Sequence, residues 1–182
     1  MTRHYDFGHP ALFDVDSVGK PGSRRFRFVV RSHDGMTASL WVERQHLERL
    51  CEVIDKLLAE LNSRQPLVRE AQAGGPPPGA PADFPRSPTV EFPVERLSLD
   101  FNPQRLQLAL HASASGDEDD EDSSPQGPRV SVTFGCGLAD RLSNHIARLL
   151  STGRVRCPYC GYPMQEQHLC EPRDGIHPAV LN

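Results

Sequence analysis

Two apolar stripes at helical spacing set the frame of this chain, because each one closes a run of alternating stretches. In the first stripe, Leu47, Leu50, Cys51, Ile54, Leu57, Leu58 and Leu61 recur at steps of three and one. That spacing puts them on one side of a helix. Glu48, Arg49, Glu52, Asp55 and Lys56 cover the other side, and Asn62 and Ser63 end it. The second stripe carries Leu138, Leu142, Ile146, Leu149 and Leu150 and stops at Gly153, a residue suited to the left-handed turn that ends helices. Cys51 lies within the first stripe and reads as a small core residue.

Alternation of period two precedes each stripe. Phe13 and Val15 alternate with Asp14 and Asp16. After the turn signal Gly19-Lys20-Pro21-Gly22-Ser23, Phe26, Phe28 and Val30 point one way, and Arg25, Arg27 and Arg31 the other. His33-Asp34-Gly35 turns the chain into a strand with Ala38, Leu40 and Val42 on one face and Trp41 opposite. In the second half, Phe92, Val94, Leu97, Leu99 and Phe101 mark one strand or a bulged pair. Leu106, Leu108 and Leu110 follow the turn Asn102-Pro103-Gln104, and Val130, Val132 and Phe134 complete the set.

Phe13 to Phe26 spans 13 residues and Phe92 to Leu106 spans 14. The pattern predicts two copies of a β-β-β-α unit. One copy alone has too little core. Side by side, the two predict an α+β fold: an antiparallel sheet of about six strands with two helices on one face. The organisation expected is residues 1–63 as the first repeat, 64–90 as a linker, 91–153 as the second repeat, and 154–182 as a metal-binding tail. The linker holds Gly74-Gly75-Pro76-Pro77-Pro78-Gly79, which suits neither a helix nor an interior strand. Residues 113–128 form a loop expected to be disordered, built on the run Asp117 to Asp122. That run lacks the glycine and terminal glutamate spacing of a calcium loop.

The tail dictates a chemistry. Cys157-Pro158-Tyr159-Cys160-Gly161 is a turn on which two thiolates converge, and His168 and Cys170 follow after a seven-residue loop. His168 and Cys170 are two apart, so in an extended segment they face the same way. Cys157, Cys160, His168 and Cys170 make a closed tetrahedral zinc site with no open position, hence structural rather than catalytic. His177 is the alternative to His168, although Pro172 and Gly175 lie between it and Cys170. A Cys157–Cys160 disulfide and a thioredoxin-like redox pair are the competing readings. Five cysteines without an apolar leader argue against the first, and the turn-forming Gly161 and Pro163 against the second.

The net charge is −4, and the acidic run carries six of the negative charges, which leaves +2 on the remainder. No strongly basic surface is implied. No apolar run approaches a membrane span, the first residues hold no secretory signal, and a cytoplasmic location is the expectation.

At Tyr5-x-Phe7, Val18-Gly19-x-Pro21-Gly22-x-Arg24-x-Phe26, Leu57-Leu58, and Cys157-Pro158-x-Cys160-Gly161-x-Pro163 with His168-x-Cys170-x-Pro172-Arg173, the chain resembles an uncharacterised bacterial family. That family is sometimes labelled only "repeat protein". Its pattern usually ends Cys-Pro-Arg, whereas Glu171 intervenes here. The resemblance implies the same Cys, Cys, His, Cys ligand set and brings no activity.

Two further constellations are alternatives for function. Arg25, Arg27 and Arg31, with Arg24 before them, fit a nucleic-acid contact. They fit a solvated strand face better, since the aromatic partners of a single-strand binder reduce to Trp41. Cys136, between Gly135 and Gly137 at a strand-to-helix turn, fits a nucleophile in a pocket between the repeats; His145 lies two helical turns along and His111 one strand away, and neither is identifiable as its base. The leading expectation is a non-enzymatic module with a structural zinc, contacting a partner protein, with nucleic acid disfavoured and no membrane involved.

Overall fold

The computed structural model describes residues 3–20, 23–64, 84–114 and 127–151. In chain order its elements are β1 (His4–Asp6), β2 (Leu12–Val18), β3 (Arg25–Arg31), β4 (Thr37–Val42), α1 (Arg44–Arg64), β5 (Val90–Pro93), β6 (Arg96–Asn102), β7 (Gln107–Ser113), β8 (Arg129–Gly135) and α2 (Cys136–Ser151). The fold is α+β, as the two periodicities require. The eight strands form two four-stranded sheets, ordered β2-β3-β4-β5 and β1-β8-β7-β6, and not the single antiparallel sheet of about six strands that the sequence pattern suggested.

Both sheets have the same construction. Three strands form an antiparallel meander, β2-β3-β4 in one and β6-β7-β8 in the other. A short fourth strand then adds in parallel beside the third. It is β5 beside β4, with Leu40 opposite Phe92, and β1 beside β8, with Tyr5 opposite Val130. Each short strand therefore comes from the other half of the chain. The stretch from Phe92 to Phe101 is two strands for this reason, with Val94 and Glu95 carrying the chain from one sheet to the other.

Backbone hydrogen bonds anchor both exchanges. Arg129 donates to the Arg3 carbonyl at 2.9 Å, Phe7 to Ser131 at 2.9 Å and Thr133 to Gly8 at 2.7 Å. On the other side Val94 donates to the Trp41 carbonyl at 2.7 Å. Thr37 and Thr89 exchange amide-to-hydroxyl bonds, each 3.2 Å long, and Thr89 lies inside the stretch read as linker.

The inner faces of both sheets and the stripes of both helices join one core. Phe13 stands at the junction, its ring centroid 5.6 Å from Phe28 in its own sheet and 5.1 Å from Phe134 in the other. The helices run antiparallel: Ser143 donates to Asp55 at 2.7 Å, and Arg44 reaches the Leu150 carbonyl at the opposite end. Cys51 lies in this seam, with its thiol 3.5 Å from the Ser143 carbonyl. Two turns expected from sequence are present. Gly35 takes φ of 90° between β3 and β4, and the Asn102 side chain accepts from the Gln104 and Arg105 amides. Leu106, expected in a strand, closes that second turn at φ 52°. Among the described residues no helix is long and apolar enough to cross a membrane.

Candidate binding surface

Strands β3 and β4 place the arginine row and Trp41 on the outer face of their sheet, with Arg27 opposite Trp41 in register. The sequence reading made this row a solvated face. Arg27 is instead only 19% exposed in its side chain. Its Nε and Nη2 both donate to Asp16 Oδ2, at 3.2 and 3.0 Å, and its Nη1 lies 3.5 Å from Ser39 Oγ. Its guanidinium also stands 5.5 Å from the Trp41 ring and 5.7 Å from that of Phe84. Arg25 stacks on Trp41 at 4.4 Å, and Arg31 approaches Phe84 at 6.0 Å. Among the described residues the aromatic partners are thus two, and Phe84 was hidden from sequence analysis because it sits in the proline-rich stretch.

Trp41 is half-buried and its orientation is held, since its Nε1 donates to Glu91 Oε1 at 2.7 Å across the β4–β5 pair. Beside it opens a cleft of about 720 Å³, walled by Arg24, Arg25, Trp41, Arg44, His46 and Glu95 among others. A tryptophan and several arginines on a rigid strand, next to an open cleft, is the chemistry that dominates protein interfaces.

Cys136 is the first residue of α2 and is buried. Burial pushes its thiol above the ordinary range, and its Sγ donates to the Leu106 carbonyl at 3.4 Å. His145 lies nine residues further along the same helix, a rise of about 13.5 Å, and its Nδ1 is 2.8 Å from Asp14 Oδ1. His111 pairs with Asp100 at 3.2 Å. Both histidines weighed beside Cys136 are thus engaged with carboxylates elsewhere.

The pairing of β1 with β8 assembles a group that sequence analysis missed. Ser131 Oγ donates to Asp6 Oδ1 at 2.8 Å, with His4 Nε2 3.0 Å away. The Gly8 amide and then the Ser131 hydroxyl hold the Asp6 carboxyl below its ordinary range. This is not a nucleophilic triad, because the carboxylate accepts the hydrogen bond of the serine hydroxyl directly instead of orienting the histidine. A three-residue strand carries no periodic signal by which these residues could have been grouped.

Among the described residues, no group of three or more His, Cys, Asp or Glu could hold a metal ion. The predicted ligands Cys157, Cys160, His168 and Cys170, and the alternative His177, lie outside the described residues.

The family model for proteins of unknown function termed DUF3090 matches residues 5–170. The chain belongs to that family. No curated protein matches it.

Proposed function

We propose that this member of the DUF3090 family is a non-enzymatic protein-interaction module that carries a structural zinc in its tail. The observation that supports it most is the Trp41 cleft. Its tryptophan is held in place by Glu91 and stacked by Arg25, so little side-chain entropy remains to be lost when a partner docks. The polar groups that sequence analysis offered for catalysis are committed internally or buried.

The zinc reading rests on the donor set. Three thiolates and one imidazole at Cys157, Cys160, Cys170 and His168 suit tetrahedral zinc and leave no open position. The family match extends to residue 170, the position of the fourth donor. The shared construction of the two sheets supports reading the chain as two copies of one unit.

Nucleic-acid binding is the second reading, favoured by the alternation of Arg25, Trp41, Arg27, Phe84 and Arg31 on one face. It ranks lower because base stacking needs bare ring faces, and here guanidinium groups lie over the rings.

Affinity capture from native lysate with the intact chain and with Trp41→Ala, followed by reconstitution with the purified partner, tests the proposal. The expected result is one protein that binds the intact chain and is lost with Trp41→Ala, while the melting temperature of the variant shows that it folds. Binding that survives Trp41→Ala overturns the assignment of the cleft. Tight nucleic-acid binding at physiological salt, lost on Arg25→Ser, would promote the second reading.

A further inference from the structure

The two halves differ in how an edge strand is covered. At the edge of the first sheet, α2 lies against β2: Phe13 and Val15 are buried, and His145 reaches Asp14 at 2.8 Å. At the equivalent edge of the second sheet is β6, and α1 stands away from it across a cleft of about 310 Å³. The inward residues of β6, Leu97, Leu99 and Phe101, are only half-buried, and Arg96, Ser98, Asp100 and Asn102, which alternate with them, are exposed. Val53 on α1 forms part of the same cleft and is 49% exposed. Among the described residues no strand pairs with the outer edge of β6, and such an edge, with its inner side chains only half-buried, is a template for a further strand.

We infer that the α1–β6 cleft takes an extended segment of the partner protein, added to the edge of β6, with apolar side chains at alternate positions and acidic residues flanking them. Three observations define this occupant. The edge of β6 offers backbone groups, which only an extended chain satisfies in series. The inward side chains of an added strand would lie between Leu97, Leu99 and Val53, so they must be apolar at period two. The rim carries Arg49, Arg96 and His46 against Glu95, which favours acidic flanks. His46 and Glu95 also line the Trp41 cleft, so the two openings adjoin and one partner can span both. The inference rests on the reading of the chain as a protein-interaction module, and it assigns the secondary structure and side-chain pattern of what binds.

Selection of a random nonapeptide library displayed on phage against the intact chain tests it. The expected winners alternate apolar and polar residues, contain no internal proline and carry acidic ends. Synthetic versions should slow amide exchange across Arg96–Asn102. Their affinity should fall at least tenfold with Val53→Glu, or with a central proline in the peptide, and stay within about twofold with Trp41→Ala. Recovery of no binder, of basic or helix-patterned binders, or of binders indifferent to Val53→Glu overturns the inference. A result in which the peptide binds here while the captured partner ignores Trp41→Ala would instead sink the proposed role of the tryptophan cleft, so the two failures are distinguishable. Val53→Ser, which removes apolar surface without adding charge, guards against a folding defect in the glutamate variant and should weaken binding severalfold.

Discussion

His145 on α2 meets Asp14 on β2 with Nδ1 2.8 Å from Oδ1, and the two side chains are 13% and 12% exposed. The contact joins residues 131 apart in sequence and ties the second helix to the first sheet. Asp14 Oδ1 also accepts the Val15 amide at 2.7 Å, so one carboxylate serves the strand and the helix together.

Removing that carboxylate takes this acceptor from the buried Val15 amide and the part-buried His145 imidazole. Asp14→Ala should therefore cost about 1–3 kcal/mol, the usual penalty for orphaned buried polar groups. Thermal or urea unfolding measures it. A change within about 0.5 kcal/mol, typical of surface positions, would show that the pair is not a structural tie.

Arg25 and Arg27 should behave differently despite their common row. Arg27→Ser strands Asp16 and opens the space between Trp41 and Phe84, and should cost about 1–2 kcal/mol, in the range of lost charge-assisted hydrogen bonds. Arg25→Ser removes a stacked but exposed side chain and should cost less than about 1 kcal/mol. Chemical denaturation of both variants decides the order, and equal costs would contradict the geometry.

Burial raises the thiol pKa of Cys136 and of Cys51, where the nearby Asp55 carboxylate adds to the rise. The neutral thiol is thus the form that the folded state favours. Stability from this source is present below the ordinary thiol range and is lost as pH rises through the raised folded values. Iodoacetamide should alkylate both residues at least tenfold more slowly in the folded chain than in urea at pH 8. Fast modification of Cys136 in the native protein would revive it as a nucleophile.

The tail should hold about one zinc per chain after purification without chelators, as a closed four-donor site requires. Elemental analysis gives the count. Cys157→Ser should release the metal while the melting transition of the core moves by only a few degrees, because among the described residues both sheets and both helices already share one apolar core. A metal-free wild-type chain would remove the zinc from the proposal.

Several elements were legible because their signal is local. The stripe from Leu47 to Leu61 and the alternation in Arg25–Arg31, Thr37–Val42, Gln107–Ser113 and Arg129–Gly135 need only neighbouring residues to be recognised. Of the candidate site, the arginine row and Trp41 were legible on their strand face. Phe84 was not, because its packing against Arg27 depends on where the chain returns after a long proline-rich stretch.

By itself, then, the sequence determined the α+β class, both helices and the two meanders, since periodicity is a property of short segments. The tertiary structure alone decided that the strands divide into two sheets and that β1 and β5 cross to opposite halves. Three- and four-residue strands carry too few alternations to announce themselves, and the partner of a parallel strand is chosen by long-range hydrogen bonding and burial. The same long-range packing set α2 tightly on β2 and left a cleft between α1 and β6 among the described residues.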